Sequence, residues 1–522
     1  MSKLIIAISL LATGAVASTL YVTPAGAGAK DGKAWASAYA GPQIAISAAK
    51  AGDTVLLQGG TYKLTTTIAL GNSGTASSRI YLFAENPATK RAYFDFSGQT
   101  VGSSSQGIKV SGNYWHIKGL DVFQAGDNGI LFQGGSNNIL EFCNVHENQD
   151  AGVQLKGGAA NNLILNTDSW WNYDAATSGG NADGFAPKMD VGSGNTFRGC
   201  RSWGNSDDGW DGYLREASQT ATWTASTTIE DCWAFDNGYY HGDPNSSKND
   251  RAEMNGNGFK MGGGDKVGTI SNGYGTQHHH VVRRCLAFNN YAKGFDQNNN
   301  RGNMTLFNCT GINNGVNYQI DGTVGATSTP SSGIAKGNAL IVKNSISHGT
   351  GGVKLTAAQE ATNSWSSGFT VTNSDFESID TAGVRGARKS DGSLPDVKFM
   401  HLVASSKLID KGSKLDGITY AGAAPDLGAF ETGTTSGLLP VGQSNVRQIL
   451  LNGTALRIGS RMPGSVQVAL VRQDGRTLRN LGRFDLAPSG TEIGLGELPR
   501  GLSLCRMSFS DGTVRSHPLL AR

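Results

Sequence analysis

The stretch FRGCRSWGN, residues 197–205, decides the fold, because variants of it return along the chain. Each copy begins with an apolar residue, has a small residue three positions later and ends with asparagine eight positions later. The closing asparagines are Asn148, Asn172, Asn205, Asn237, Asn290 and Asn314. Self-similarity at spacings of tens of residues is typical of repeat architectures, so the chain from about residue 79 to 360 is predicted to be a solenoid.

A second repeated element is a glycine followed by an apolar residue. It occurs at Gly129, Gly152, Gly184, Gly209, Gly258 and Gly294. The gaps between these glycines are 23, 32, 25, 49 and 36 residues, so about 23 residues form one coil and the longer gaps contain inserted loops. Coils of short strands cannot bury their own apolar faces and must stack on one another. This pattern predicts an all-β protein, a parallel β-helix, in which the recurring asparagines form a ladder of side-chain amides.

Five of the six cysteines share one position of the first repeat. They are Cys143, Cys200, Cys232, Cys285 and Cys309. In a secreted protein, disulfides are the default interpretation. Here the column is better interpreted as small interior residues, because cysteine packs as a small hydrophobe. A bridge between neighbouring coils, such as Cys200 with Cys232, remains an alternative.

The first 17 residues have the pattern of a signal peptide. Lys3 is followed by a short apolar run from Leu4 to Ala12, and Ala15 to Ala17 form an A-x-A cleavage site before Ser18. The run is too short for a comfortable membrane anchor, and no later stretch is long and apolar enough to span a bilayer. A secreted, extracellular protein without a membrane span is therefore predicted.

The segment GPQIAISAAKA, residues 41–51, predicts a short N-terminal helix. Pro42 stands near its start, and Ile44, Ala48 and Ala51 have helical spacing. Such a helix could cover the open apolar end of the first coil. The predicted β-helix domain spans residues 18–432, and the segment from Asp426 to Phe430 is expected to close its other end.

The last part of the chain has a different composition. Residues 433–444 are interpreted as a linker, and the tail from Asn445 has 11 arginines, no lysine and 5 acidic residues. Its alternating segments predict a small antiparallel β-domain over residues 445–522. The whole chain has only 16% charged residues and a net charge of +3, which gives no global field for nucleic acid.

Three loops are predicted between the coils, at residues 173–180, 238–254 and 264–278. Long loops on one side of a rigid scaffold commonly wall a cleft. Trp171, Tyr239 and Tyr240 could stack on sugar rings there, and anchoring of the loops is the equal alternative.

Four carboxylates fall close together in the stretch from Asn181 to Asp211. When the coils are aligned on their glycines, Asp183 and Asp208 come side by side on neighbouring coils, with Asp207 next to them and Asp211 across a Gly-Trp pair. Stacked carboxylates repel one another unless one is protonated or a cation lies between them. A cluster of hard oxygens favours Ca²⁺, so these four aspartates are predicted to bind that ion. Solvated turn aspartates are the alternative.

Lys260 falls in the column of Asp211, one coil later. A salt bridge with Asp211 is one interpretation, and a catalytic base is the other. A free lysine has a pKa of about 10.4, and a nearby cation and partial burial would both lower it. A Ca²⁺ ion on a uronate carboxylate would acidify the proton on the adjacent carbon. Ion and amine together fit β-elimination, with proton abstraction at C5 and loss of the glycosidic oxygen from C4.

Four motifs carry a resemblance to a known family. The stretches NADGFAPK, GCRSWGNSDDGWD, NGNGFK and GFDQNNN, which begin at Asn181, Gly199, Asn255 and Gly294, resemble the signature of polysaccharide lyase family 9. The resemblance covers roughly residues 18–432 and implies a secreted pectate lyase with a right-handed parallel β-helix. By motif match it implies Asp183, Asp207, Asp208 and Asp211 as Ca²⁺ ligands and Lys260 as the base. The implied substrate is pectate, an acidic polysaccharide of the plant cell wall.

The tail is also similar to a known kind of domain. The stretches DGRTLRNL and LPRGLSLCRMSFSDG, which begin at Asp474 and Leu498, resemble C-terminal secretion-sorting β-domains of bacterial extracellular enzymes. This implies the secretion machinery as a partner, and a monomer is expected. Two alternative functions stay open: a lyase for rhamnogalacturonan or another acidic glycan, and a non-catalytic β-helix that binds glycans or serves as an adhesin.

Overall fold

The computed structural model describes residues 17–215, 223–249, 255–263, 276–323, 334–335, 337–415 and 417–433, together with the strands of the C-terminal part. The chain divides into two compact units, Met1–Ser436 and Gly437–Arg522. The predicted signal peptide, apart from Ala17, and most of the predicted linker lie outside the described residues. No helix in the described part of the chain is long and apolar enough to cross a membrane.

Three parallel sheets form the first unit. The first sheet has 13 strands among the described residues. In sheet order these are β2 Tyr39–Ala40, β1 Thr19–Thr23, β3 Thr54–Leu57, β6 Ile80–Ala84, β9 Trp115–Lys118, β12 Ile139–Glu141, β15 Leu163–Leu165, β18 Asn195–Arg198, β21 Thr224–Glu230, β24 Gln277–Arg283, β27 Met304–Phe307, β30 Leu340–Lys343 and β33 Gln359–Ala361.

The second and third sheets each contribute 10 strands to the described structure. The second consists of β4 Gly60–Lys63, β7 Ala92–Asp95, β10 Leu120–Phe123, β13 Asn144–His146, β16 Asp168–Trp170, β19 Arg201–Trp203, β22 Trp233–Phe235, β25 Leu286–Phe288, β28 Thr310–Ile312 and β31 Ile346–His348. The third consists of β5 Ile68–Leu70, β8 Ile108–Val110, β11 Ile130–Gln133, β14 Val153–Lys156, β17 Phe185–Pro187, β20 Trp210–Asp211, β23 Phe259–Lys260, β26 Lys293–Asp296, β29 Val316–Asp321 and β32 Val353–Thr356. One strand from each sheet makes a coil, so the predicted parallel β-helix is confirmed.

The C-terminal unit is antiparallel. Its described strands are β34 Val446–Asn452, β35 Ala455–Ser460, β36 Gly464–Val471, β37 Thr477–Leu486, β38 Thr491–Gly494, β39 Gly501–Phe509 and β40 Val514–Ala521. They pair in the orders β34-β35-β38 and β37-β36-β39-β40. An antiparallel β-structure is what the alternating pattern of the tail predicts.

The two sequence repeats meet in one structural unit. Each repeat asparagine donates to the next: Asn172 Nδ2 lies 2.8 Å from Asn205 Oδ1, and Asn205 Nδ2 lies 2.9 Å from Asn237 Oδ1. The glycines are required beside this ladder, because a Cβ at Gly209 would lie 2.9 Å from Asn237 Nδ2 and 2.5 Å from Gly258 O. The predicted asparagine ladder is confirmed, and it explains why the glycines recur with it.

The interior holds stacked columns of apolar side chains. Phe185, Trp210, Phe259 and Phe295 stack in one column of the third sheet, and each is at most 1% exposed. The five cysteines of the repeat are buried and free of disulfides. They therefore act as the small interior residues that the sequence indicates, and the alternative bridge between Cys200 and Cys232 is not formed.

The N-terminal helix α1, Pro42–Ala48, lies where the sequence predicts a helix. Its buried face was predicted wrongly, however, because Ile44 is 57% exposed while Ala45 and Ile46 are buried in the interior core. Pro42 starts the helix and is itself buried, so the inward face follows Pro42, Ala45, Ile46 and Ala49 rather than Ile44 and Ala48.

The segment from Asp426 to Phe430 was expected to close the end of the β-helix, but it does not. It packs with the preceding segment on the outer face of the second sheet, where Leu427 and Ala429 join one cluster with Trp203 and Phe288. The outward column of this sheet is aromatic, since Trp203 stacks on Phe235 and Phe235 stacks on Phe288. Such a column needs a cover, and residues 376–430 provide it.

The ladder gives a first prediction. Asn205→Ala should lower the free energy of unfolding by about 3 kcal/mol, because it removes one hydrogen bond from each of the buried side-chain amides of Asn172 and Asn237. The matched control is Asn245→Ala in an exposed loop, which should change stability by less than about 0.5 kcal/mol. Urea unfolding followed by tryptophan fluorescence measures both. Equal effects of the two variants would contradict a stabilising role of the ladder.

Candidate active site

The acidic residues converge on the outer face of the third sheet. Phe185 of β17 pairs with Trp210 of β20, and Asp211 pairs with Lys260 of β23. This is the register predicted from the aligned glycines, and it brings residues 25 to 49 positions apart in the sequence onto neighbouring strands. Asp183 and Asp208 precede β17 and β20 at equivalent positions, where the chain enters the strands.

Three of the four predicted aspartates form a compact group. One carboxylate oxygen each from Asp183, Asp207 and Asp208 lies within 4.8 Å of the others, and all three residues are buried. Asp207 Oδ1 and Asp208 Oδ2 accept no hydrogen bond from the described residues, although both atoms are buried. Buried carboxylate oxygens without donors are costly, and a hard divalent cation would satisfy them. The group therefore fits Ca²⁺.

The other oxygens of Asp207 and Asp208 are held by the backbone and by one amide. Asp207 Oδ2 accepts from Asn181 N at 2.8 Å. Asp208 Oδ1 accepts from the backbone N and the Nδ2 of Asn257, each at 2.7 Å. These bonds fix the orientation of both carboxylates and leave Asp207 Oδ1 and Asp208 Oδ2 without a hydrogen-bond donor.

Asp211, the fourth predicted ligand, lies outside the compact group and between two lysines. Its Oδ1 is 3.4 Å from Lys260 Nζ, and its Oδ2 is 3.4 Å from Lys188 Nζ. Burial opposes ionisation of Asp211, but the ammonium groups of Lys260 and Lys188 outweigh it and lower the pKa of this carboxyl group. Asp211 therefore stays ionised between its two cations.

Lys260 lies against the carboxylates, as the register predicts. Its Nζ is 2.9 Å from Asp208 Oδ2, in an ion pair too bent for a hydrogen bond, and its side chain is only 11% exposed. Burial alone would lower its pKa, but the charges of Asp208, Asp211, Asp207 and Asp183 raise the pKa well above the usual value. The four carboxylates therefore favour the ammonium form of Lys260, and the lowered pKa expected beside a bound Ca²⁺ stays a prediction.

Asp183 and Asp207 show the opposite shift to that of Asp211. Burial, together with the neighbouring charges, raises the pKa of Asp183 and of Asp207 well above the ordinary value. The cluster therefore resists full ionisation unless positive charge is added. This is the electrostatic behaviour expected of a cation site.

Lys188 is a site residue that the sequence analysis did not single out. Its Nζ donates to Asp183 Oδ2 at 2.7 Å, and its side chain is only 8% exposed. Alternation along a strand places residues 186 and 188 on the same face, so the register that located Asp211 could also have located Lys188. Lys188 is a buried counter-cation of the carboxylate cluster.

The three aromatic residues predicted to stack on sugar rings instead contact other rings of the protein. The ring of Trp171 lies 4.2 Å from that of His241, and Tyr240 lies 5.6 Å from Tyr173. Tyr239 meets Tyr291 edge-on at 5.4 Å. These contacts fit the loop-anchoring interpretation of the three rings.

A fold of stacked parallel coils with buried carboxylates and a lysine on one outer face defines the class: a β-helix enzyme acting on polysaccharide. The family model described as "Pel9A-like, right handed beta helix region" matches residues 20–338. The chain therefore belongs to this family, the pectate lyases of polysaccharide lyase family 9, and is a polysaccharide lyase of the pectate lyase type.

Curated relatives and solved structures agree with this assignment. The chain is 38% identical to pectate lyase L of Dickeya chrysanthemi over 79% of its own length and 90% of the relative. It is 32% identical to pectate lyase PEL9 of Emericella nidulans, over 77% and 96% of the two chains. The crystal structure of pectate lyase Pel9A matches with a TM-score of 0.68 and 36% identity, over 79% of this chain and 96% of that chain. A rhamnogalacturonan lyase matches with a TM-score of 0.61 and 26% identity, over 74% and 97%.

The buried counter-cation gives a second prediction. Lys188→Met should lower the free energy of unfolding by roughly 3–5 kcal/mol in the presence of a chelator, because it removes the positive charge that pairs with the buried carboxylates of Asp183 and Asp211. Lys354→Met, on an exposed position of β32, is the matched control and should have little effect. Urea unfolding measures both. A loss no greater than that of the control would show that Lys188 does not stabilise the cluster.

Proposed function

We propose that this protein is a secreted, Ca²⁺-dependent lyase that cleaves pectate by β-elimination, with Lys260 as the base. The observation that carries the proposal is the position of the Lys260 amine, 2.9 Å from Asp208 Oδ2 and at the edge of a buried carboxylate cluster. The names of the relatives support pectate as the substrate, since several of them are pectate lyases.

Asp183, Asp207 and Asp208 are the proposed ligands of Ca²⁺, and Asp211 is the fourth proposed ligand. The two buried oxygens without donors, Asp207 Oδ1 and Asp208 Oδ2, support this assignment. When bound, Ca²⁺ supplies positive charge that offsets the carboxylates and withdraws electrons from the carboxyl group of a uronate sugar.

Lys260 performs the proton transfer in this proposal. Its neutral Nζ takes the proton from C5 of the uronate, the C–H electron pair forms the C4=C5 double bond, and the bond from C4 to the glycosidic oxygen breaks. The leaving oxygen takes a proton from solvent. Because only the neutral amine is a base and the surrounding carboxylates favour the ammonium, turnover should rise toward alkaline pH.

The proposal also includes export of the protein from the cell. The pattern of residues 1–17 is that of a signal peptide, and a plant cell-wall polymer lies outside the cell that degrades it. We assign residues 18–432 to the lyase domain, residues 433–444 to a linker and residues 445–522 to a secretion-sorting domain, on the sequence patterns alone. A monomer is expected.

The reaction gives a third prediction. Polygalacturonate incubated with the protein and Ca²⁺ should develop ultraviolet absorbance from the unsaturated product, and a chelator should abolish it. Restored Ca²⁺ should restore the rate. No absorbance on any acidic polysaccharide, with retained binding, would instead support the non-catalytic glycan-binding alternative.

The base gives a fourth prediction. Lys260→Ala should lower the elimination rate by roughly 10²–10⁴-fold, the contribution typical of a general base. Ca²⁺ binding measured by calorimetry should persist, because the aspartates remain. Lys343→Ala, on the first sheet and away from the carboxylates, is the control and should retain full activity. Near-normal activity of the Lys260 variant would exclude its role as the base.

A rhamnogalacturonan lyase is the second candidate function. The structural match that favours it covers 97% of a rhamnogalacturonan lyase at 26% identity. Rhamnogalacturonan alternates uronate and neutral sugars, whereas pectate is a continuous polyuronate. Comparing initial elimination rates on the two polymers under identical Ca²⁺ separates the two candidates.

A further inference from the structure

A second concave feature lies on the same outer face of the third sheet as the candidate active site. It is a cavity of about 450 Å³, a size typical of ligand pockets. Its lining residues are Thr67, Ala69, Ser103, Ser104, Gln106, Lys109, Leu131, Gln133 and Lys156. Nothing in the proposed elimination uses these residues.

The strand register connects this cavity to the active site. Along one outward column, Ala69 pairs with Lys109, Lys109 with Leu131, and Leu131 with Gln154. Gln154 pairs with Ala186, and Asp211 lies at the next position of the column. The cavity and the carboxylate cluster therefore lie on one straight track of outward-facing positions along the stacked coils.

The length of this track follows from the strand spacing. Neighbouring strands lie about 4.8 Å apart. Lys156 of β14 is two strands from β20, and Ala69 of β5 is five strands from it. The cavity therefore extends from about 10 Å to about 24 Å from the strand of Asp211, a span that only a glycan several sugars long can cover.

The two lysines are the charged groups of the cavity lining. Within the described residues, neither Lys109 nor Lys156 forms an ion pair, and both side chains are partly buried rather than fully extended into solvent. Two carboxylates lie near the cavity lining, and each accepts a hydrogen bond: Asp127 from Gln106 Nε2 at 2.6 Å, and Asp190 from the backbone N of Gly157 at 2.7 Å. The ammonium groups are thus available to an anionic ligand.

The rest of the lining suits a sugar. Ala69 is exposed and gives an apolar surface for the C–H face of a ring, and Leu131 lines the cavity beside it although it is only 2% exposed. Gln133 and Gln106 supply amides, and Thr67, Ser103 and Ser104 supply hydroxyl groups. A few polar groups on an apolar surface are the usual composition of a small-molecule site.

We propose that this cavity is a distal subsite for a uronate residue of the same acidic glycan whose cleaved bond lies beside Lys260, with Lys109 and Lys156 pairing with its carboxylate. The inference rests on the proposed function, because a polyuronate carries a carboxylate on each sugar and presents further charges along the track. It adds two residues that would set the preference for long, continuously charged chains.

The test is a double variant, Lys109→Gln with Lys156→Gln. Its KM for polygalacturonate should rise about fivefold to tenfold, the effect of losing two partly exposed ion pairs. The increase should be smaller for short oligogalacturonates, because only a chain that reaches from Lys260 to the cavity loses these contacts. Lys109→Arg with Lys156→Arg should restore most of the affinity, and Lys343→Gln on the first sheet should leave KM at the wild-type value.

Binding without turnover separates this inference from the proposed function. In native gels containing polygalacturonate, the wild-type protein should be retarded more strongly than the Lys109, Lys156 double variant. If the wild-type protein eliminates no acidic glycan, the proposed function fails, and selective retardation still supports the subsite. An unchanged KM at every chain length, with equal retardation of the two proteins, would overturn the subsite.

Discussion

The register between stacked coils is the constraint on which the whole structure depends. A one-residue slip in a strand would turn its side chains to the opposite face, so that interior phenylalanines would exchange places with aspartates. The asparagine ladder and the stacked aromatic column at Phe185, Trp210 and Phe259 hold this register at the third sheet. Because strands lie about 4.8 Å apart, residues far apart in the sequence become close neighbours on the outer wall.

The active-site face uses this rigidity to hold charges that repel one another. Asp183, Asp207 and Asp208 are buried together, and the coils on which they lie cannot move apart without breaking the ladder. Lys188 and Lys260 offset part of the charge, from opposite sides of Asp211. The cluster still contains buried oxygens without hydrogen-bond donors, which an added cation would satisfy. The same alignment carries a substrate track away from the site toward the cavity at Lys109 and Lys156.

The fold was predictable because the spacing of the repeated residues specifies it. The repeat of Asn, Gly and apolar residues specifies coil length, inward columns and register, and the register in turn located Asp211 opposite Lys260. Packing between non-repeating parts was not predictable in this way. The inward face of α1 depends on the position of the buried Pro42 at the start of the helix. The course of residues 376–430 depends on the outward aromatic column of the second sheet, which forms only when the coils stack. Lys188 was missed because the motif match assigned it no role, although the register that located Asp211 also places residue 188 on the same face.

A crystal structure of the protein with Ca²⁺, recorded with anomalous diffraction, tests the central claim most directly. One strong anomalous peak is expected on the outer wall of the third sheet, about 2.3–2.6 Å from carboxylate oxygens of Asp183, Asp207 and Asp208, with Lys260 Nζ still beside it. A peak elsewhere, no peak at saturating Ca²⁺, or an amine of Lys260 turned away from those carboxylates would contradict it.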